Sequence, residues 1–150
     1  MTPNDAPAPF MNFKRAAVIL SLFVTHTLLG VAAPILDVQT IAGKDPAEVT
    51  KVLGEPCQQE KTKQGPKLSY RGGKIEVVFI NDKADWITIS DMSGVSFDDD
   101  AIKALGLKPE RPTFKGTFVI RWEPHTTYRS VSVFAHNGKT DYAYIKVITK

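Results

Sequence analysis

Two stretches of this chain carry one pattern: an alternating apolar run, a two-residue polar turn, and a second alternating run. The first runs from Lys74 to Ile80, turns at Asn81-Asp82 and returns from Ala84 to Ile89. The second runs from Ser130 to His136, turns at Asn137-Gly138 and returns from Thr140 to Ile148. Alternation with a period of two sends successive side chains to opposite faces of a strand, and Asn-Gly supplies the positive φ angles that tight hairpin turns demand. Two antiparallel hairpins are therefore expected. At an offset of 56 positions Ile75 matches Val131, Val77 matches Val133, Asn81 matches Asn137, Asp85 matches Asp141, Trp86 matches Tyr142 and Ile89 matches Ile145.

A helix-start signal precedes each hairpin. In Asp45-Pro46-Ala47-Glu48 the aspartate can accept a backbone N–H, the proline lacks the donor that would be orphaned at the first helical position, and the glutamate can close a capping box. Val49, Val52 and Leu53 follow at helical spacing, and Gly54 with Pro56 stops the run. Asp98, Asp99 and Asp100 similarly lead into Ala101, Ala104, Leu105 and Gly106, at an offset of 52. Lys67 to Tyr70 and Thr117 to Trp122 read as one further strand for each half. The expected fold is α+β: tandem units of a helix plus a three-stranded antiparallel meander, at 41–91 and 92–150, with the short helices on one face of the sheet.

The run from Ile41 through Asp45-Pro46-Ala47-Glu48 to Leu53-Gly54-Glu55-Pro56, followed by Leu68-Ser69-Tyr70 and the strand beyond, resembles the SmpA/OmlA (BamE-like) module over residues 41–89. The resemblance implies a cell-envelope setting and a capped helix leading into strands. BamE-like proteins are lipoproteins, and this chain has no cysteine at the end of its apolar N-terminal segment to carry a lipid. The tandem arrangement also resembles β-lactamase inhibitory protein-like folds, which present a sheet to a partner protein; that likeness concerns architecture alone.

Ala16 to Ala33 contains no formally charged side chain and follows Lys14-Arg15, the layout of a secretory signal. Residues 1–33 are expected to be a signal peptide, cut after Ala32 or Ala33, or an uncleaved anchor to a membrane; translation could begin at Met1 or at Met11. The mature protein is then secreted or periplasmic. In that compartment the single cysteine, Cys57, has no internal partner, and a partly buried, inert thiol is the expectation. Basic and acidic residues, 19 against 16, are interleaved without a basic stripe, which argues against nucleic acid as a partner.

No spacing of histidine, cysteine or carboxylate marks a metal site, no glycine-rich loop opens a helix, and no cofactor is expected. His125 and His136 are the candidates for a small secreted enzyme, although no serine or cysteine is tied to either by a motif. With strict two-residue hairpins, Ile75, Val77, Phe79, Trp86 and Thr88 share a face with Val131, Val133, Ala135, Tyr142 and Tyr144, while Ile87, Ile89, Phe134, Ala143 and Ile145 take the other. Two short helices can cover only one face. The expected binding surface is therefore the aromatic one, with Phe79, Trp86, Trp122, Tyr142 and Tyr144 facing a protein partner. The competing readings are that these rings fill the second half of a core, or that the chain is a structural part of an envelope complex.

Overall fold

The computed structural model describes residues 33–149, so the expected signal or anchor lies, but for Ala33, outside the described residues. Asp45 and Glu48 form the capping box that their spacing predicts: the Asp45 carboxylate accepts the Glu48 N–H at 2.9 Å, and Glu48 accepts the Asp45 N–H at 3.3 Å. The helix they start, α1 (Pro46–Leu53), stops at Gly54, whose φ of 87° suits a residue without a Cβ. Val49 and Leu53 are its buried positions.

Eight strands follow: β1 (Gln58–Lys61), β2 (Pro66–Tyr70), β3 (Ile75–Ile80), β4 (Lys83–Ile89), β5 (Phe114–Lys115), β6 (Val119–Trp122), β7 (Ser130–His136) and β8 (Lys139–Lys146). All lie in one antiparallel sheet in the order β1-β2-β3-β4-β8-β7-β6-β5. The tandem helix-plus-meander expectation is thereby overturned. There is one α-helix among the described residues, not one per unit, and a single eight-stranded sheet in place of three-stranded units.

The second expected helix is a five-residue 3-10 turn, Ala101–Leu105. Its preceding aspartates do not cap it. Asp98 instead accepts the Asp100 N–H at 2.9 Å, a local turn that competes with helix initiation, and Asp100 makes no side-chain cap bond. Gly106 ends the segment at φ 73°, and a Cβ there would press on Asp37 at 2.7–2.8 Å. This close approach packs the turn against the 3-10 segment Val38–Thr40, and the Gln39 side chain donates to the Gly106 carbonyl at 2.9 Å. The extra strands β1 and β5 are the sheet's edges, and all their side chains are exposed. They pair through backbone groups and need no apolar alternation.

Both hairpins turn as their sequences predict, with positive φ at Asn81 (51°), Asp82 (57°), Asn137 (49°) and Gly138 (74°). Each then departs from a regular ladder. In β3–β4 the pair Phe79–Ala84 is followed by Val78–Trp86, leaving Asp85 as an extra residue; in β7–β8 the pair Ala135–Thr140 is followed by Phe134–Tyr142, leaving Asp141 extra. A one-residue bulge exchanges the faces that strict alternation would give to everything beyond it. Ile75 and Val77 consequently lie with Ile87, Ile89, Ala143, Ile145, Val131 and Val133, all buried, and not with Trp86, Tyr142 or Tyr144.

The core lies under this aliphatic face. Leu36, Val38 and Ile41, Val49 and Leu53 of α1, Met92, the turn residues Ala101, Ile102 and Leu105, and Tyr128 join the strand residues in one cluster. A Thr50 Oγ1–Tyr70 hydroxyl contact of 3.4 Å fixes α1 beside β2. Burying side chains of this size contributes roughly 1.5–3 kcal/mol each before chain entropy is counted.

Candidate functional site

Register across the strands lays the opposite face out in rows. One row runs Glu60, Lys67, Val78, Trp86, Lys146, Ser130; the next runs Gln58, Ser69, Glu76, Thr88, Tyr144, Ser132, Arg121, Phe114. A short third row carries Tyr142, Phe134 and Val119. Trp86, Tyr142, Tyr144, Phe134 and Lys146 are half-buried against one another, and Phe114 is 54% exposed at the end of its row.

The two ends of this face are chemically unlike. Toward β1, Lys67 Nζ is held by Glu60 at 2.9 Å and Glu76 at 3.1 Å, and these two carboxylates raise the ammonium pKa. That end satisfies its own charge. Toward β8 the rings dominate: Phe134 and Tyr142 stack with centroids 4.4 Å apart, Trp86 meets Tyr144 edge-on at 6.4 Å, and Lys146 Nζ lies 5.1 Å from the centre of the Trp86 ring. Arg121 Nε donates to Ser132 Oγ at 3.3 Å and reaches Glu123 only at 4.0 Å. Asp85, the bulged residue next to Trp86, is buried; desolvation raises its pKa against the opposing pull of Arg129 and Lys146, and it accepts the Thr149 hydroxyl. Burial, with a smaller contribution from Asp85, also raises the Tyr144 phenol.

Of the five residues expected to bind a partner, Trp86, Tyr142 and Tyr144 come together on this face. Phe79 and Trp122 do not. Both are buried in the aliphatic core, Phe79 because it alternates in β3 with the buried Ile75 and Val77 and Trp122 because it pairs with Val131. The Trp122 Nε1–H donates to the Glu110 carbonyl at 2.8 Å, so its polar tip is satisfied internally. Phe134, assigned to the aliphatic face by regular alternation, joins the aromatic one. Lys146, Arg121 and Phe114 escaped attention because their place on the face depends on strand pairing, which no local pattern encodes. Cys57, expected to be partly buried, is exposed and donates from Sγ to the Ser69 carbonyl at 3.3 Å.

The histidines are placed very differently. His136 is exposed beside its turn, paired in register with Lys139. His125 is buried in the β6–β7 loop, against the Tyr128 ring at 5.4 Å, bordering a cleft of ≈ 450 Å³ with Gln39, Lys108 and Glu110. Its Nδ1 accepts the Thr127 N–H at 3.1 Å and its Nε2 faces Glu110 Oε1 at 3.3 Å. Desolvation lowers the imidazole pKa, with Glu110 opposing, and the Tyr128 phenol is pushed up to about 12 by burial and the charge of Asp37. Glu110 also accepts the Thr126 hydroxyl at 2.7 Å. Both ring nitrogens thus face groups of the protein itself. Among the described residues no group of three histidine, cysteine or acidic side chains is arranged to hold a metal ion.

No family model, no curated protein and no solved structure matches this chain, so nothing further bears on the SmpA/OmlA resemblance. Among the described residues no helix is long and apolar enough to cross a membrane.

Proposed function

We propose that this chain is an exported, non-enzymatic protein-binding module of the cell envelope or extracellular space, and that it docks a partner on the aromatic face around Trp86, Tyr142 and Tyr144. One observation carries the reading: the helical segments send their buried side chains into the core beneath the aliphatic face, while the other face collects rings, Lys146, Arg121 and the exposed Phe114. Tryptophan, tyrosine and arginine are the residues that most often dominate binding energy at protein interfaces. The cations at the β8 end favour a partner surface bearing carboxylates, since Lys67 is neutralised at the other end and Lys146 has no acidic partner within 4.0 Å among the described residues. Export rests on Lys14-Arg15 and the uncharged run that follows. The turning of both His125 nitrogens toward internal groups supports a non-catalytic role for that residue.

The test is photo-crosslinking in the native envelope with benzoylphenylalanine placed at Thr88 on this face or at Lys51 on α1. A discrete protein adduct is expected from position 88 alone; it weakens with salt and is lost with Trp86→Ala. Equal adducts from both positions, or none from position 88, would defeat the reading. Intact mass of the recovered chain checks export: loss of residues 1–32 is expected.

A further inference from the structure

The β6–β7 loop, residues 123–129, is pinned to the segment Leu107–Thr113 by a compact set of bonds. The Glu110 carboxylate accepts the Thr126 hydroxyl at 2.7 Å, and the Glu110 carbonyl accepts Trp122 Nε1–H at 2.8 Å. Thr113 Oγ1 donates to the Arg121 carbonyl at 3.0 Å and accepts the Glu123 N–H at 3.0 Å. His125 sits inside this set, with 5% of its side chain exposed.

Its chemistry there is unusual. Because Nδ1 accepts the Thr127 amide hydrogen, Nδ1 must be unprotonated, and the proton of the neutral ring resides on Nε2. That tautomer cannot bind a cation through Nε2, and the nitrogen is closed off from solvent and short of a well-aligned acceptor, since Glu110 Oε1 at 3.3 Å is poorly directed. A second proton has one place to go, Nδ1, where it would point straight at the Thr127 N–H. Two donors would then share a site built for a donor and an acceptor. Of the charged groups around the ring, Glu110 favours the imidazolium against the desolvation that disfavours it, Lys108 borders the same cleft, and Asp37 acts on the Tyr128 ring, which lies tilted against the imidazole.

We propose that His125 is a proton-operated latch: neutral, it closes the 123–129 loop on itself through the Thr127 bond, and protonated it forces that bond apart and releases the loop. Desolvation, which lowers the imidazole pKa from 6.5, supports this direction. The stabilisation supplied by the neutral ring is complete above 6.5 and is lost as pH falls through the lowered folded-state value. The latch does not depend on the docking face and stands or falls separately from it.

Long-range ¹H–¹⁵N correlation of the histidine rings, together with amide hydrogen exchange on the full chain from pH 7.5 to 4.5, tests the proposal. The neutral ring is expected as the Nε2–H tautomer, and Thr127 amide protection, corrected for intrinsic exchange, is expected to fall at least tenfold on acidification while Val131 changes little. His125→Asn presents an acceptor near the position of Nδ1 and does not titrate, so Thr127 should keep its protection at low pH. Glu110→Gln, which removes the charge favouring imidazolium, should move the transition to lower pH; a ring that merely fills space would show no such displacement. An Nδ1–H tautomer at pH 7.5, pH-independent Thr127 protection, or the same pH dependence in His125→Asn would each overturn the latch.

Discussion

The β3–β4 and β7–β8 hairpins turn through the same two-residue geometry, and each lodges one extra aspartate at the same step after the turn; yet Asp141 is exposed and Asp85 is buried. The neighbours account for the difference. The chain leaving β8 passes Asp85, where Val147 N–H donates to the Asp85 carbonyl at 2.8 Å and Thr149 donates to its carboxylate. At Asp141 the carbonyl accepts the Met92 N–H at 3.1 Å, and the carboxylate has no bond or ion pair among the described residues. A bulge is a local device, but its energetic worth is set by the segment that runs beside it.

Truncation of a phenylalanine on either face should break the symmetry most strongly. Phe79→Ala opens a cavity in the buried core and is expected to cost about 3–5 kcal/mol in urea unfolding. Phe134→Ala removes a half-buried ring stacked on Tyr142 and should cost about 1 kcal/mol. Equal losses would mean that the two faces are equally covered.

Removing the extra residue sharpens the comparison. Deleting either aspartate restores a regular ladder with every other pair and every face unchanged, because Val78–Trp86 or Phe134–Tyr142 then directly follows the preceding pair. Deletion of Asp141 forfeits one hydrogen bond, from the Met92 N–H, and should cost about 1 kcal/mol, whereas deletion of Asp85 forfeits two hydrogen bonds to the C-terminal segment and should cost about 2 kcal/mol. Thermal unfolding of the two deletions, measured side by side, decides it; an Asp141 deletion that fails to fold would show that the bulge itself is required.

The smallest effect is electrostatic. Burial holds the Asp85 carboxyl above its ordinary 3.8, so the folded state binds a proton more readily than the unfolded chain. Stability from this group is therefore full below 3.8 and declines as pH rises through the folded-state value. Asp85→Asn keeps an acceptor for Thr149 without the charge, and should be slightly more stable than the parent at pH 7 and converge on it below 3.8. A stability gap for Asp85→Asn that stays constant from pH 3 to 7 would refute the assignment.

Much of this architecture could be read from local sequence. The Asp45/Glu48 box, the stop at Gly54 and both two-residue turns depend on contacts within a few positions, and all are present. The edge strand β1 could not be read, because Gln58-Gln59-Glu60-Lys61 is wholly polar and joins the sheet through its backbone alone. Nor could the clasp of His125 by Glu110, whose partners lie 15 residues apart without a shared period and meet only when the β6–β7 loop folds back.

Caps, turns and apolar periodicity thus belonged to the residues themselves, since each draws its free energy from neighbours a few bonds away along the backbone. Which face each ring occupies, how many strands share the sheet, and which aspartate loses its water were settled only by assembly. One inserted residue, absorbed in a bulge, reverses the two faces that strict alternation along the sequence would assign, and the backbone hydrogen bonds that accept the insertion are indifferent to the side chains around them.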